Sequence, residues 1–94
     1  MSKPIYTKLK FITISGSIGS GKSVLANKIA DLLYSEIHKT YFQNLLYLQE
    51  NIRFTNVTQL MIDDIPVGLK ESELTEKVLK IFPNIETVII TKTI

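Results

Sequence analysis

With 94 residues, 45% of them hydrophobic and 21% charged, and a formal net charge of +2, the chain has the make-up of one folded domain and is not disordered throughout. No apolar run approaches the ~18 residues that span a bilayer, residues 1–10 lack the apolar centre of a signal peptide, and there is no Cys. A membrane span, a disulfide framework and a thiolate metal site are thereby excluded, and a single cytoplasmic domain over residues 1–94 is expected. Basic residues are scattered apart from Lys3, Lys8 and Lys10, so the charge pattern gives nucleic-acid binding no support. Among the basic residues only Arg53 is an Arg. The glycosylation triplet Asn56-Val57-Thr58 carries no meaning without secretion.

Residues 10–15, Lys-Phe-Ile-Thr-Ile-Ser, are a short β-branched run closed by Gly16 and predict a buried strand. From Lys22 the period changes. Leu25, Ile29, Leu32 and Leu33 recur at helical spacing, with Ala26, Ala30 and Ile37 beside them, which predicts an amphipathic helix to about Ile37. His38, the only His, then falls near a helix C-terminus as a partner for the dipole. Thr40 and Gln43 have capping-box spacing, and Tyr41, Leu45, Leu48 and Ile52 share one face, predicting a second helix to about Arg53. The aromatic and apolar content of residues 41–48 also suits a strand.

Residues 59–65, Gln-Leu-Met-Ile-Asp-Asp-Ile, are an apolar run ending in carboxylates before Pro66 and Gly68, and predict a second buried strand. Residues 71–82 place Leu74, Val78, Ile81 and Phe82 on one face and are stopped by Pro83-Asn84, predicting a third helix. Residues 86–91, Glu-Thr-Val-Ile-Ile-Thr, predict a third strand. Strands alternating with helices imply an α/β fold, a parallel sheet of about three strands with about three helices on its faces in three layers.

Gly16-Ser17-Ile18-Gly19-Ser20-Gly21-Lys22-Ser23 matches G-x-x-x-x-G-K-[ST] at every fixed position. Glycines let successive backbone N–H groups turn inward around phosphate oxygens where a side chain would block them, and a helix N-terminus adds its positive dipole end. Binding of ATP or GTP with Mg²⁺ is therefore expected along the stretch that ends at Val24. Lys22 would bridge the β- and γ-phosphates as a point charge, and the Ser23 hydroxyl would ligate Mg²⁺. The bland alternative, a glycine turn followed by an unrelated Lys, leaves the flanking strand and helix unexplained.

Such a site also needs a carboxylate for the metal at the C-terminal end of another buried strand. Asp63 stands there; the alternative is that Asp63 and Asp64 merely begin the turn toward Pro66, since Asp favours turns, but two acids closing an apolar strand are better explained by the metal. Asp64 follows where a Glu often polarises the attacking water. Being one methylene shorter, it either takes that catalytic role or supports and caps the site.

On residues 11–24, 59–65 and 87–93 the sequence resembles the additional-strand (ASCE) class of P-loop NTPases, and is similar to the cores of AAA+ initiators and helicase loaders and of STAND and NB-ARC signalling NTPases. The resemblance implies that the strand over residues 86–93 lies centrally, between the P-loop strand and the acid-bearing strand. It also implies that Thr91 senses the γ-phosphate; the alternative is an ordinary strand Thr. Members of that class are longer and carry a lid and an arginine finger. This chain therefore reads as a minimal or truncated module, and Arg53 as a solvated residue at a helix end rather than a finger.

Three functions follow. One is a small ATPase acting with a protein partner or as a homo-oligomer. Another is a nucleotide-binding regulatory or assembly module without turnover. The last is a small-molecule or nucleotide kinase, whose opening residues 12–23 also resemble, but which ordinarily holds phosphates with several Arg forks.

Overall fold

The computed structural model describes residues 9–47 and 52–94. Strand β1 is Lys10–Gly16, helix α1 Lys22–Leu33, strand β2 His38–Tyr41 and helix α2 Phe42–Tyr47. Strand β3 is Gln59–Ile65, helix α3 Glu71–Ile81 and strand β4 Thr87–Thr93. All pairings are parallel, in the order β1-β4-β3-β2. The strand expected to be central is so placed: β4 lies between β1 and β3, and Val88, Ile89, Ile90 and Thr91 are buried in succession. A parallel strand covered on both faces needs such a continuous apolar run rather than an alternating one.

The two faces of the sheet bury different residues. On one, Leu60, Ile62, Val88 and Ile90 meet Phe42 and Leu45 of α2 and Leu74, Val78 and Ile81 of α3. On the other, Met61 and Ile89 meet Ala26 and Ala30 of α1. The period-2 alternation along β3 and β4 sends neighbouring residues to opposite helical layers. Helix α3 follows its sequence pattern closely, with Glu71 and Glu73 in its first turn and Lys80 in its last, each favourable to the dipole.

Several expectations are corrected. The sheet has four strands, not three: the helix expected from Thr40 begins only at Phe42, after β2 has paired with β3 from His38↔Leu60 to Tyr41↔Asp63. Pairing satisfies the backbone of His38–Tyr41 against an open strand edge, and the Thr40 hydroxyl donates to the Tyr41 carbonyl (3.4 Å) instead of capping a helix. Leu48 lies outside the described residues, and Ile52 and Arg53 are not helical.

The first helix ends at Leu33 rather than Ile37, with Tyr34 extended and Ile37 drawn into the cluster beneath α1. His38 is therefore a strand residue, its ring 5.7 Å from Phe54 and 5.3 Å from Phe82 between centroids, and no partner of a helix end. The buried face of α1 also differs from the expected one. Ala26 and Ala30 are fully buried because the helix lies close to β4, whereas Leu25, Leu32 and Leu33 are exposed. Among the described residues no helix is long and apolar enough to cross a membrane.

Candidate functional site: the loop between β1 and α1

The site lies at the C-terminal ends of the strands. Strand β1 stops at Gly16, the chain makes a tight turn in which the Ser20 N–H donates to the Ser17 carbonyl (3.1 Å), and α1 starts at Lys22. Gly19 and Gly21 take φ of +82° and +88°, the left-handed region in which a side chain is strained. A Cβ on Gly16 would collide with the Ser20 hydroxyl. Of the two glycines at fixed positions of the motif, Gly21 is thus favoured by its backbone conformation, and Gly16 by its contact with the Ser20 side chain. Gly21 caps α1 with no side-chain hydrogen bond, and the first turn of the helix holds no acid.

Around this turn Ser17, Ile18, Ser20 and Val24 are exposed. Lys22 is half-buried, with its ammonium donating to the Ser17 carbonyl at 3.4 Å, so it bends back over the loop rather than outward. Ser23, on the first turn of α1, donates its hydroxyl to both carboxylate oxygens of Asp63 at 2.9 Å each. The Asn27 amide donates to the Ser23 carbonyl one turn on, at 2.9 Å.

Asp63 is buried and also accepts a hydrogen bond from the Thr91 hydroxyl. Thr91 is fully buried and in turn accepts from the Asp64 N–H at 2.9 Å. Beyond the Ile62↔Ile90 pair the next paired residues are Ile65↔Lys92, so Asp63 and Asp64 together oppose Thr91 in a β-bulge. Asp64 has φ +65° and an exposed side chain. Asp tolerates that conformation better than most residues, and the bulge separates the surroundings of the two neighbouring acids, one buried and one in solvent.

Among the described residues no three His, Cys, Asp or Glu side chains gather into a metal site. Ser23 and Asp63 supply hard oxygen donors in one place, and an ion there would draw its remaining oxygen ligands from phosphate and water, the habit of Mg²⁺ rather than of Ca²⁺ or Zn²⁺. The residues present fit that ion.

Asp63 also borders a cavity of about 240 Å³ beside α1, lined by Asn27, Lys39, Thr40, Tyr41, Asn44 and Met61. None of these residues belongs to the motif, and only the position of Asn27 one helical turn after Ser23 could have pointed to it. Lys39 there is paired with Asp31 at 3.0 Å. Arg53 stands elsewhere: its guanidinium donates to the Lys80 carbonyl at the C-terminal end of α3 (3.1 Å), near the N-terminal ends of β3 and β4 and across the sheet from the loop. Comparison of the chain with protein-family models, curated proteins and solved structures finds no match.

Proposed function

We propose that this chain binds ATP or GTP with Mg²⁺ at the loop from Gly16 to Ser23, and that its fold is the additional-strand form of the P-loop NTPases. The observation that carries the reading is the meeting of Ser23 with Asp63, two residues picked out separately for one metal site and found within hydrogen-bond distance. The position of β4 between β1 and β3 supports the same class. Lys22 supplies the positive charge for the β- and γ-phosphates, and the start of α1 supplies backbone donors. Mg²⁺ held through Ser23 and Asp63 would neutralise charge on the phosphate oxygens. Asp64, exposed beside Asp63, is the residue available to orient a water toward the γ-phosphoryl group.

Turnover by the chain alone is slow in this reading. Charge developing on the γ-phosphoryl group calls for an Arg, and Arg53 stands across the sheet from the loop. That distance favours a module that switches or assembles with bound nucleotide and hydrolyses it when a protein partner, or another copy of the chain, brings a cation to the loop. Its setting is the cytoplasm, where nucleoside triphosphate and Mg²⁺ are abundant. Phosphate release measured with ATP and with GTP, each with and without an added nucleoside, tests this. Slow release without transfer to the nucleoside is expected, and phosphate transfer would identify a kinase instead.

A further inference from the structure

We infer that Thr91 is a positioning residue that locks the two acids of the site in their separate places, and that it does not read the γ-phosphate. The inference rests on the proposed nucleotide site. The Thr91 hydroxyl has one proton and two lone pairs. Its proton is given to the Asp63 carboxylate, and a lone pair receives the Asp64 N–H. The side chain is completely buried in the central strand, between the acid-bearing strand and β1. With its proton committed to a carboxylate, Thr91 has no donor left for a phosphate oxygen.

The bulge explains why a hydroxyl is needed at this position. Two residues of β3 oppose one of β4, so the Asp64 N–H falls out of the regular ladder, and a part-buried backbone donor left without a partner is costly. The Thr91 hydroxyl replaces the missing carbonyl. The same oxygen is thereby anchored so that its proton points at Asp63, whose oxygens must also meet Ser23. One side chain sets the orientation of the metal-binding carboxylate and fixes Asp64 at φ +65° with its carboxylate in solvent. Partners behind a metal-binding group typically govern metal affinity by about 10- to 100-fold.

The test compares wild type with Thr91→Val, which keeps the shape and removes the hydroxyl, and Thr91→Ser, which restores it. Binding of ADP and of ATP is titrated against Mg²⁺ and in EDTA, and exchange of the Asp64 amide proton is followed by NMR. In Thr91→Val the Mg²⁺ concentration for half-maximal binding is expected to rise about tenfold, equally for ADP and ATP, with binding in EDTA unchanged. The Asp64 amide should lose its protection, and Thr91→Ser should recover both. A loss confined to ATP would show that Thr91 reads the γ-phosphate and would overturn the inference, as would an unaltered Mg²⁺ requirement. Should wild type bind neither nucleotide, the nucleotide site fails. The lock is then judged by the amide alone: unchanged protection in Thr91→Val overturns it, and loss with recovery in Thr91→Ser upholds it.

Discussion

The Ser23 hydroxyl lies 2.9 Å from each carboxylate oxygen of Asp63, across forty residues of sequence. Neither residue is placed by the other's local structure: Ser23 is set by the turn that starts α1, Asp63 by the last buried stretch of β3. Their meeting depends on the parallel sheet bringing the C-terminal ends of β1 and β3, which flank β4, to one end of the sheet.

Replacing Asp63 by Asn removes the charge while keeping an acceptor for Ser23 and Thr91. Nucleotide binding in Mg²⁺ is expected to weaken by at least tenfold, with little change in EDTA, since the loss acts through the ion. Calorimetric titration under both conditions checks this, and an equal loss in the two would leave Asp63 a structural residue of β3 with no part in holding the ion.

The conformation of Asp64 makes a prediction about stability that is independent of any ligand. At φ +65° a β-branched side chain is strained and glycine is not. Asp64→Val should therefore lower stability by about 1 to 2 kcal/mol, while Asp64→Gly should leave it unchanged or slightly raised. Urea unfolding of the two variants decides, and equal stability would mean that the bulge is not where the register places it.

Much of the fold was legible because several segments carry a single strong signal. The run Gln59–Ile65 and the stripe Leu74, Val78, Ile81 each match their observed element, and the glycine loop appears where its spacing predicts. Strand β2 was not legible as such. It has four residues at the sheet edge with alternating burial, so His38–Tyr41 shows no apolar run, and its strand character comes from pairing with β3. The buried face of α1 is not the one its large side chains mark, because close packing against Met61 and Ile89 favours the small Ala26 and Ala30. The bulge was invisible in Ile62-Asp63-Asp64-Ile65, since an extra residue in one strand shows only against its partner.

The ring cluster beneath β2 tests that strand directly. Phe82 is fully buried and stacks on Phe54 at 5.3 Å, with His38 against both. Phe82→Ala is expected to cost about 3 to 5 kcal/mol, and to loosen β2 because His38 loses its apolar seat. Amide exchange of His38–Tyr41 in the variant should accelerate more than that of β1. Uniform acceleration across the sheet would argue against the local link.

Turnover is predicted to be well below ~1 s⁻¹ for the isolated chain, under the usual range for enzymes. An Arg supplied to the γ-phosphoryl group is worth roughly 10³ to 10⁵ in rate, and Arg53 lies across the sheet from the loop. Phosphate release is to be followed over a wide range of protein concentration. A slow rate at every dilution, unchanged in Arg53→Ala, fits a site completed by another protein, and a rise with concentration that Arg53→Ala abolishes fits a homo-oligomer. Fast turnover at low concentration, retained in Arg53→Ala, would show that the site is complete without an Arg.

The central claim is that the loop from Gly16 to Ser23 holds the phosphates of a nucleoside triphosphate, and a titration of the folded chain with ATP and GTP in Mg²⁺ tests it most directly, run beside Lys22→Ala. Lys22 is half-buried but contributes charge to the loop rather than packing to the core, so the variant should keep its circular dichroism and melting temperature. Saturable binding of at least one nucleotide by wild type below about 1 mM, lost in Lys22→Ala, is the predicted result. Equal affinity in the two proteins, or no saturable binding of either nucleotide to the folded wild type, would contradict it.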